Sequence, residues 1–501
     1  METFCGACHA KPRPESFPRD AWYAEVQRGF DFYHKSKRTD LRPPPLQKVV
    51  DYYRALAPER LERIPVRSQR DVADASDVPY GDGQTHQFQA ARISLPGASP
   101  FPAVANVHCQ ATAQGELLWC DMQLGEVHLL QFAGRELARR DRIAEVPHPS
   151  HIEPCDLDAD GQPDWLVADL GSFEPADHDR GRVIWLRRVA GENGEQDRST
   201  GPHKGRLRWR PDRFQSIVLA DGLGRVADVR PADVDGDGLL DLAVAEFGWH
   251  DTGRVLLLKG LPPAPGDAAS PPRFEQLVLD PRPGAIHVPI ADINGDGRLD
   301  VVALISQEHE QVVVYLGQPD GTFQKELVYA APDPAFGSSG IQLVDLDGDD
   351  DLDVLYTNGD MLDSFYIKPY HAVHWLENTG TFPFVPRQLA TMAGAMRAEA
   401  ADIDGDGDQD IVVCAFIPDV GLRGEAHPGN YETLMLLEQT TPGAFRRRTL
   451  EVSSAGHMSL ATGDVDGDGK LDIIVGNFAN QPRDEAHWGE IMWNVVGPKP
   501  N

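Results

Sequence analysis

An aspartate-rich frame of nine residues recurs six times along the 501-residue chain, with an acid or amide at positions 1, 3, 5 and 9 of every copy. The first three copies are Asp156-Leu-Asp158-Ala-Asp160-Gly161-Gln-Pro-Asp164, Asp233-Val-Asp235-Gly-Asp237-Gly238-Leu-Leu-Asp241 and Asp292-Ile-Asn294-Gly-Asp296-Gly297-Arg-Leu-Asp300. The others are Asp345-Leu-Asp347-Gly-Asp349-Asp350-Asp351-Leu-Asp353, Asp402-Ile-Asp404-Gly-Asp406-Gly407-Asp408-Gln-Asp410 and Asp464-Val-Asp466-Gly-Asp468-Gly469-Lys-Leu-Asp472. Their starts lie 77, 59, 53, 57 and 62 residues apart, so the chain is a repeat protein. Carboxylates at positions 1, 3, 5 and 9, with a carbonyl from position 7, form the all-oxygen shell that Ca²⁺ takes. Glycine at position 6 permits the turn around the ion. Without a cation the clustered acids repel one another.

An EF-hand needs a bidentate glutamate at position 12 and flanking helices. Position 12 here is Val167, Val244, Ala303, Tyr356, Val413 or Val475, all apolar. A short β-branched run comes after each frame, such as residues 299–305, 410–414 and 471–475, which is the pattern of a buried strand. The frame therefore joins two strands. Around the third copy, strands are expected at 286–293, 300–305, 311–316 and 323–329, and a four-stranded unit repeated about every 60 residues is a propeller blade. A further blade without an aspartate loop is expected upstream (102–111, 116–122, 126–132 and 141–146). The last repeat has room for only three strands, and residues 87–95 would supply the fourth and close a seven-bladed ring.

These frames and their spacing resemble the FG-GAP/VCBS repeat family, whose best-known members are the seven-bladed propellers of integrin α subunits. The resemblance covers roughly residues 80–498 and implies up to six Ca²⁺ ions in the loops between the first and second strands. Two positions depart from the pattern: Asn294 at position 3, still an oxygen ligand, and Asp350 where glycine is expected.

Residues 1–62 differ in character. They carry 11 basic and 9 acidic residues, against a net charge of −31 for the whole chain. Cys5-Gly-Ala-Cys8-His9 has the spacing at which two thiols capture haem and the histidine becomes an axial ligand. Composition alone yields such a string about 0.002 times in a chain of this length. Two amphipathic helices are expected, at 19–33 and 46–56, separated by Arg42-Pro-Pro-Pro45. The segment resembles a small c-type cytochrome domain and the short haem-motif segments that precede VCBS propellers in some environmental bacteria, including the closing Asp51-Tyr-Tyr-Arg-Ala-Leu-Ala-Pro58. No methionine stands between Met1 and Met122, so His34 is the expected second axial ligand of a covalent haem c. Five-coordinate haem, or Zn²⁺ on Cys5, Cys8, His9 and His34, are the competing readings.

The organisation expected is a haem segment at 1–62, a linker at 63–84 and an all-β, seven-bladed propeller at 85–498. Its acidity argues against nucleic acid, and no apolar run is long enough to span a membrane. Covalent haem and weak calcium sites suit the periplasm or the cell exterior. Only four residues precede Cys5, so export implies a start truncated relative to the precursor. Cys109, Cys120, Cys155 and Cys414 read as buried free thiols, with a Cys109–Cys120 bridge as the alternative.

Opposite the aspartate loops, the segments between second and third strands each hold a histidine: His178, His250, His309, His371, His427 and His487. His151, His287, His457 and Arg397 at first-strand starts, with Glu246, Asp251, Glu308, Glu310, Glu425 and Glu485, are expected at the same end. Copied turn chemistry is the favoured reading of such a set; the alternative is a polar funnel for a metal, glycan or redox partner. No nucleophile, base and oxyanion donor can be assembled from it. The expected function is an exported haem protein acting in electron transfer or partner docking. The alternatives are a propeller enzyme, lyase-like or redox, and a non-enzymatic adhesion scaffold.

Overall fold

The computed structural model describes residues 4, 6, 10–65, 85–94, 101–110, 115–189, 213–262, 271–418, 421–423, 431–453, 456–479 and 487–497. Seven antiparallel sheets follow one another, six with strands A to D in chain order and the seventh with A to C. The first strands of neighbouring sheets touch in sequence, and that of the seventh (His457–Gly463) touches that of the first (Val104–Gln110). The ring is closed: a seven-bladed β-propeller.

Closure is made by the N-terminal strand Thr85–Ile93. It pairs along its whole length with Gly489–Gly497, strand C of blade 7, and supplies that blade's strand D. This removes the free edge that an open ring would expose. The core lies between blades rather than within them. Val302, Leu304 and Val314 of blade 4 pack on Val354, Tyr356 and Leu376 of blade 5. Trp119 and Leu130 of blade 1 pack on Ile474, Ile491 and Trp493 of blade 7 across the closure. Strand B is buried along its length in every aspartate-loop blade, for example Asp300–Ile305 and Asp410–Ala415, because it is covered on both faces. The outer strands are partly exposed and carry charge, as in Glu136–Glu145 and Ala444–Ser453.

Strand boundaries differ from expectation in two instructive places. Strand A of blade 4 is broken into Ala285–His287 and Ile290–Ala291, since Pro289 has no N–H to donate. Strand D of blade 1 begins at Glu136 rather than 141, because a tight turn with Gly134 at positive φ lets pairing start immediately after strand C. The four cysteines at 109, 120, 155 and 414 are free thiols.

The N-terminal segment folds as two helices, α1 (Trp22–Lys35) and α2 (Leu46–Leu56). Arg19–Ala21, expected within the first helix, forms a 3₁₀ turn before it. Trp22, Val26 and Phe30 recur at helical spacing and pack on Val49, Val50 and Tyr53, with Trp22 stacked on Tyr53 at 4.0 Å. This helical pair is docked on the propeller. Asp333, between blades 4 and 5, accepts from the Arg13 N–H (2.7 Å) and the Ser16 hydroxyl (2.6 Å). Lys368, from the loop between strands B and C of blade 5, is buried, donates to the Ser16 carbonyl (2.6 Å) and lies 3.4 Å from the Phe17 ring. Burial pushes its ammonium down to about 7.

Two truncations separate the contribution of the helical pair from that of closure. A chain starting at residue 85 keeps a cooperative melt, whereas one starting at 94 leaves nine residues of edge unpaired and melts about 10 °C or more lower, as read by differential scanning calorimetry.

Candidate metal centres

The six frames occupy the A–B turns of blades 2 to 7, at one end of the propeller. All six share one internal geometry. The N–H of position 6 donates to Oδ2 of position 1, over 2.7–3.1 Å, in each copy. The N–H of position 7 donates to Oδ1 of position 5 in each copy. These bonds turn the carboxylates inward. In five loops three aspartates bring an oxygen within 4.8 Å of one another: 156/158/160, 233/235/241, 345/347/353, 402/404/406 and 464/466/472. The remaining loop carries Asn294, whose amide donates to Asp296 (3.0 Å) while its oxygen accepts from the Asp296 N–H (3.1 Å).

Position 6 needs a left-handed backbone: Gly161, Gly238, Gly297, Gly407 and Gly469 have φ between 79° and 98°. Asp350 adopts the same region at 71°, so the substitution preserves the turn. Position 4 is also left-handed, a requirement not anticipated from the sequence, although the signal was there in the five glycines 236, 295, 348, 405 and 467. Ala159 holds that position in blade 2 at φ 54°.

Position 9 does more than offer a ligand. Asp241, Asp300, Asp353, Asp410 and Asp472 are buried, and each accepts through Oδ2 from the N–H of its frame's position 2, over 3.0–3.2 Å. Their Oδ1 atoms accept from strand C, at Gly260, Gly317, Asn378, Gln439 and Asn494, over 2.7–2.9 Å. Asp164 varies the pattern, taking the Trp185 indole (2.8 Å) and the Arg188 N–H (2.6 Å). One carboxylate thus fastens the loop to strand C across strand B.

The donor chemistry fits a hard cation. Oδ1 of Asp158, Asp233, Asp347 and Asp408 is buried and has no hydrogen-bond partner among the described residues. Burial first, then the neighbouring aspartates, pushes the carboxyls up: Asp404 to about 7, Asp410 to about 8, Asp300, Asp353 and Asp472 to about 6. Basic side chains reach the loops from outside, among them Arg187 on Asp158 (2.6 Å) and Arg135 on Asp466 (2.8 Å).

Of the haem-motif residues, Cys5, Cys8 and His9 lie outside the described residues. His34 is exposed in the last turn of α1. Phe4, the residue before the motif, packs on Tyr33, the residue before His34, at 4.9 Å.

The histidines do not form one funnel. His178 meets the Ser172 hydroxyl (2.8 Å). His250 stacks on Trp249 and touches Phe32 of α1. His309 lies beside Glu308 at 3.9 Å, and His487 meets Glu490 (2.6 Å). His371 is fully buried, accepts from Gly394, and is pushed down to about 3 by burial. His457, expected at the channel, is instead buried between Asn477 (2.8 Å) and Glu451 (2.7 Å), because it precedes a slip in strand pairing. Glu246 and Glu310 accept backbone N–H bonds from Gly224 and from Gly337 and Ser338. Asp251 lines a cavity of about 570 Å³ with Asp177, His178 and Arg254. His427, Glu425 and Glu485 lie outside the described residues. Among the described residues of the expected set, His151, His287 and Arg397 share one hydrogen-bonded network, through Asp228.

Residues 284–356 and 358–413 match the FG-GAP-like repeat, and residues 458–481 match the FG-GAP repeat. The chain carries FG-GAP repeats. The matched FG-GAP segments contain four of the six frames, from blades 4 to 7. No curated protein matches the chain.

Two roles of the FG-GAP frame are separable by mutation. Asp300→Ala strands two buried N–H groups and costs about 2–5 kcal/mol whether or not calcium is present. Asp296→Asn lowers the melt only when calcium is present, and Ala159→Gly raises stability by about 1 kcal/mol by relieving a left-handed alanine; chemical denaturation with and without chelator measures all three. The pH dependence has a definite sign. Carboxyls whose folded pKa is raised hold protons that a cation must displace, so the calcium-dependent gain in Tm is larger at pH 8 than at pH 5.5. A gain that is equal or larger at pH 5.5 contradicts the assignment.

Proposed function

We propose that the protein is an exported binding protein: a propeller organised by up to six Ca²⁺ ions, carrying a haem c on its N-terminal helical segment and docking a redox or surface partner. The observation that carries this reading is one loop geometry in six copies, with buried carboxylate oxygens left without a partner among the described residues. Positions 1, 3, 5 and 9 of each frame would hold calcium, and the exposure of the loops suits the millimolar concentrations found outside cells. The role of the ion is structural, since repeated carboxylates with every copy alike serve a scaffold better than a single reaction centre.

Haem c would be held by Cys5 and Cys8 with His9 as one axial ligand and His34 as the other; bound there, it supplies one-electron chemistry. The packing of Phe4 on Tyr33 supports this, because it ties the motif's chain neighbour to that of His34. A partner-docking role is supported by a helical pair fastened to the face opposite the metal loops. No helix among the described residues is long and apolar enough to cross a membrane.

Each loop saturated at a hundredfold excess over its Kd contributes about 2.7 kcal/mol, so exhaustive chelation lowers Tm by more than about 10 °C. An unchanged melt contradicts the calcium assignment. Full-length protein made in a cytochrome-c-maturing host shows a covalent haemochrome spectrum that Cys5→Ser with Cys8→Ser abolishes. Colourless protein from that host removes the haem assignment and leaves an adhesive or scaffolding propeller.

A further inference from the structure

All seven first strands share an irregularity. The pairing of strand A with strand B slips by one residue near the start of strand A in every blade. Bulges re-aim side chains. The residues just past the slips are Asn106, His151, Asp228, His287, Gly340, Arg397 and Ser459. A turn device copied by duplication would keep one residue type at this position; here histidine alone occurs twice.

Five of them form a directed hydrogen-bond chain around the axis. The Asn106 amide oxygen accepts from the Ile152 N–H (3.2 Å), so its nitrogen faces His151 Nδ1 (3.3 Å) as a donor. That leaves the proton of His151 on Nε2, which donates to Glu153 (3.0 Å) and Asp228 (3.2 Å). The other oxygen of Asp228 faces Nδ1 of His287 at 3.5 Å, leaving His287 Nε2 to accept from Nη1 of Arg397. Gly340, on the blade between these two, lies beside Thr357 and Arg397: a Cβ there would come within 3.0 Å of Thr357 Oγ1 and 3.4 Å of Arg397 Cδ. The positive charge of Arg230 is taken up by Asp228 (3.0 Å) and Glu153 (2.7 Å). Arg397 has no carboxylate within 4 Å among the described residues, and its one side-chain partner there is a histidine held neutral by burial and by that same guanidinium. Among the described residues the other N–H donors of the guanidinium meet no acceptor.

Three aromatic rings cluster at this end of the propeller. Phe416 and Phe478 are anchored to the residues preceding strand A of blades 6 and 7, through Phe416 N–H to Gly394 (2.9 Å) and Phe478 N–H to Gly456 (2.8 Å). Phe478 stacks with Phe173 at 5.9 Å and meets Phe416 edge-on at 5.5 Å. Phe173, Phe478 and Arg397 are half-buried, whereas Phe416 is buried behind Phe478.

We propose that this end of the central channel binds a small organic monocarboxylate with a planar apolar body. Its carboxylate takes the open fork of Arg397, and its body lies against Phe173 and Phe478. The guanidinium, with no carboxylate within 4 Å among the described residues, sets the charge, its fork sets the carboxylate geometry, and the aromatic wall sets the apolar body. The site is independent of both the calcium and the haem assignments.

Isothermal titration of the full-length, calcium-saturated protein with benzoate, benzamide and inorganic phosphate tests it. Benzoate is expected to bind at least about tenfold more tightly than benzamide, which lacks the charge, and than phosphate, which lacks the ring. Arg397→Lys keeps the charge but loses the fork, and is expected to weaken benzoate about tenfold with an unchanged melt. Benzoate binding no better than benzamide, no benzoate binding by folded wild-type protein, or full affinity in a folded Arg397→Lys variant overturns the proposal. Should that variant fail to fold, the wild-type contrast between benzoate and benzamide decides alone. A fault in the calcium assignment would appear separately, as a melt insensitive to chelator.

Discussion

The blades depend on one buried carboxylate. At position 9 of five frames an aspartate divides its two oxygens between the loop that precedes strand B and the backbone at strand C, whereas in blade 2 Asp164 takes both bonds from strand C, from the Trp185 indole and the Arg188 N–H. A buried charge of this kind is tolerable only because both oxygens are satisfied, and the backbone donors would be orphans without it. In three loops (Asp241, Asp353 and Asp472) the same residue also belongs to the cluster of acids, so the proposed metal loading and blade stability would meet there in one side chain. Its raised pKa is the cost of that placement, and a cation relieves it.

Around this staple the two ends of the propeller divide the work. The A–B end is uniform: six loops with one hydrogen-bond pattern, suited to a repeated structural ion. The opposite end is differentiated. There the N-terminal helices dock on blade 5 through Asp333 and Lys368, and the bulged first strands present an unlike set of residues to the axis. Duplication explains the uniform end and cannot explain the differentiated one, which is the end where the proposed ligand and partner contacts fall.

The frames, the blade count, the closing strand and both N-terminal helices were legible in the sequence because each rests on local periodicity or fixed spacing. The features that could not be read depend on register. Whether an A-strand histidine faces the channel or the blade is settled by a one-residue slip against strand B: His457 falls before it and His151 and His287 after it. The second hydrogen bond of each position-9 aspartate reaches a strand C residue 17 to 29 positions away, a distance that varies with loop length. The left-handed requirement at position 4 was visible as a glycine column but is explained only by the loop's shape.

The central claim is that each frame holds one ion. Native mass spectrometry of the full-length protein, exchanged into a volatile buffer with calcium and then washed free of excess, counts them directly. Six calcium ions per chain are expected, falling to five in Asp296→Asn combined with Asp292→Asn. Zero or one ion per chain, with the propeller still folded, would contradict the claim.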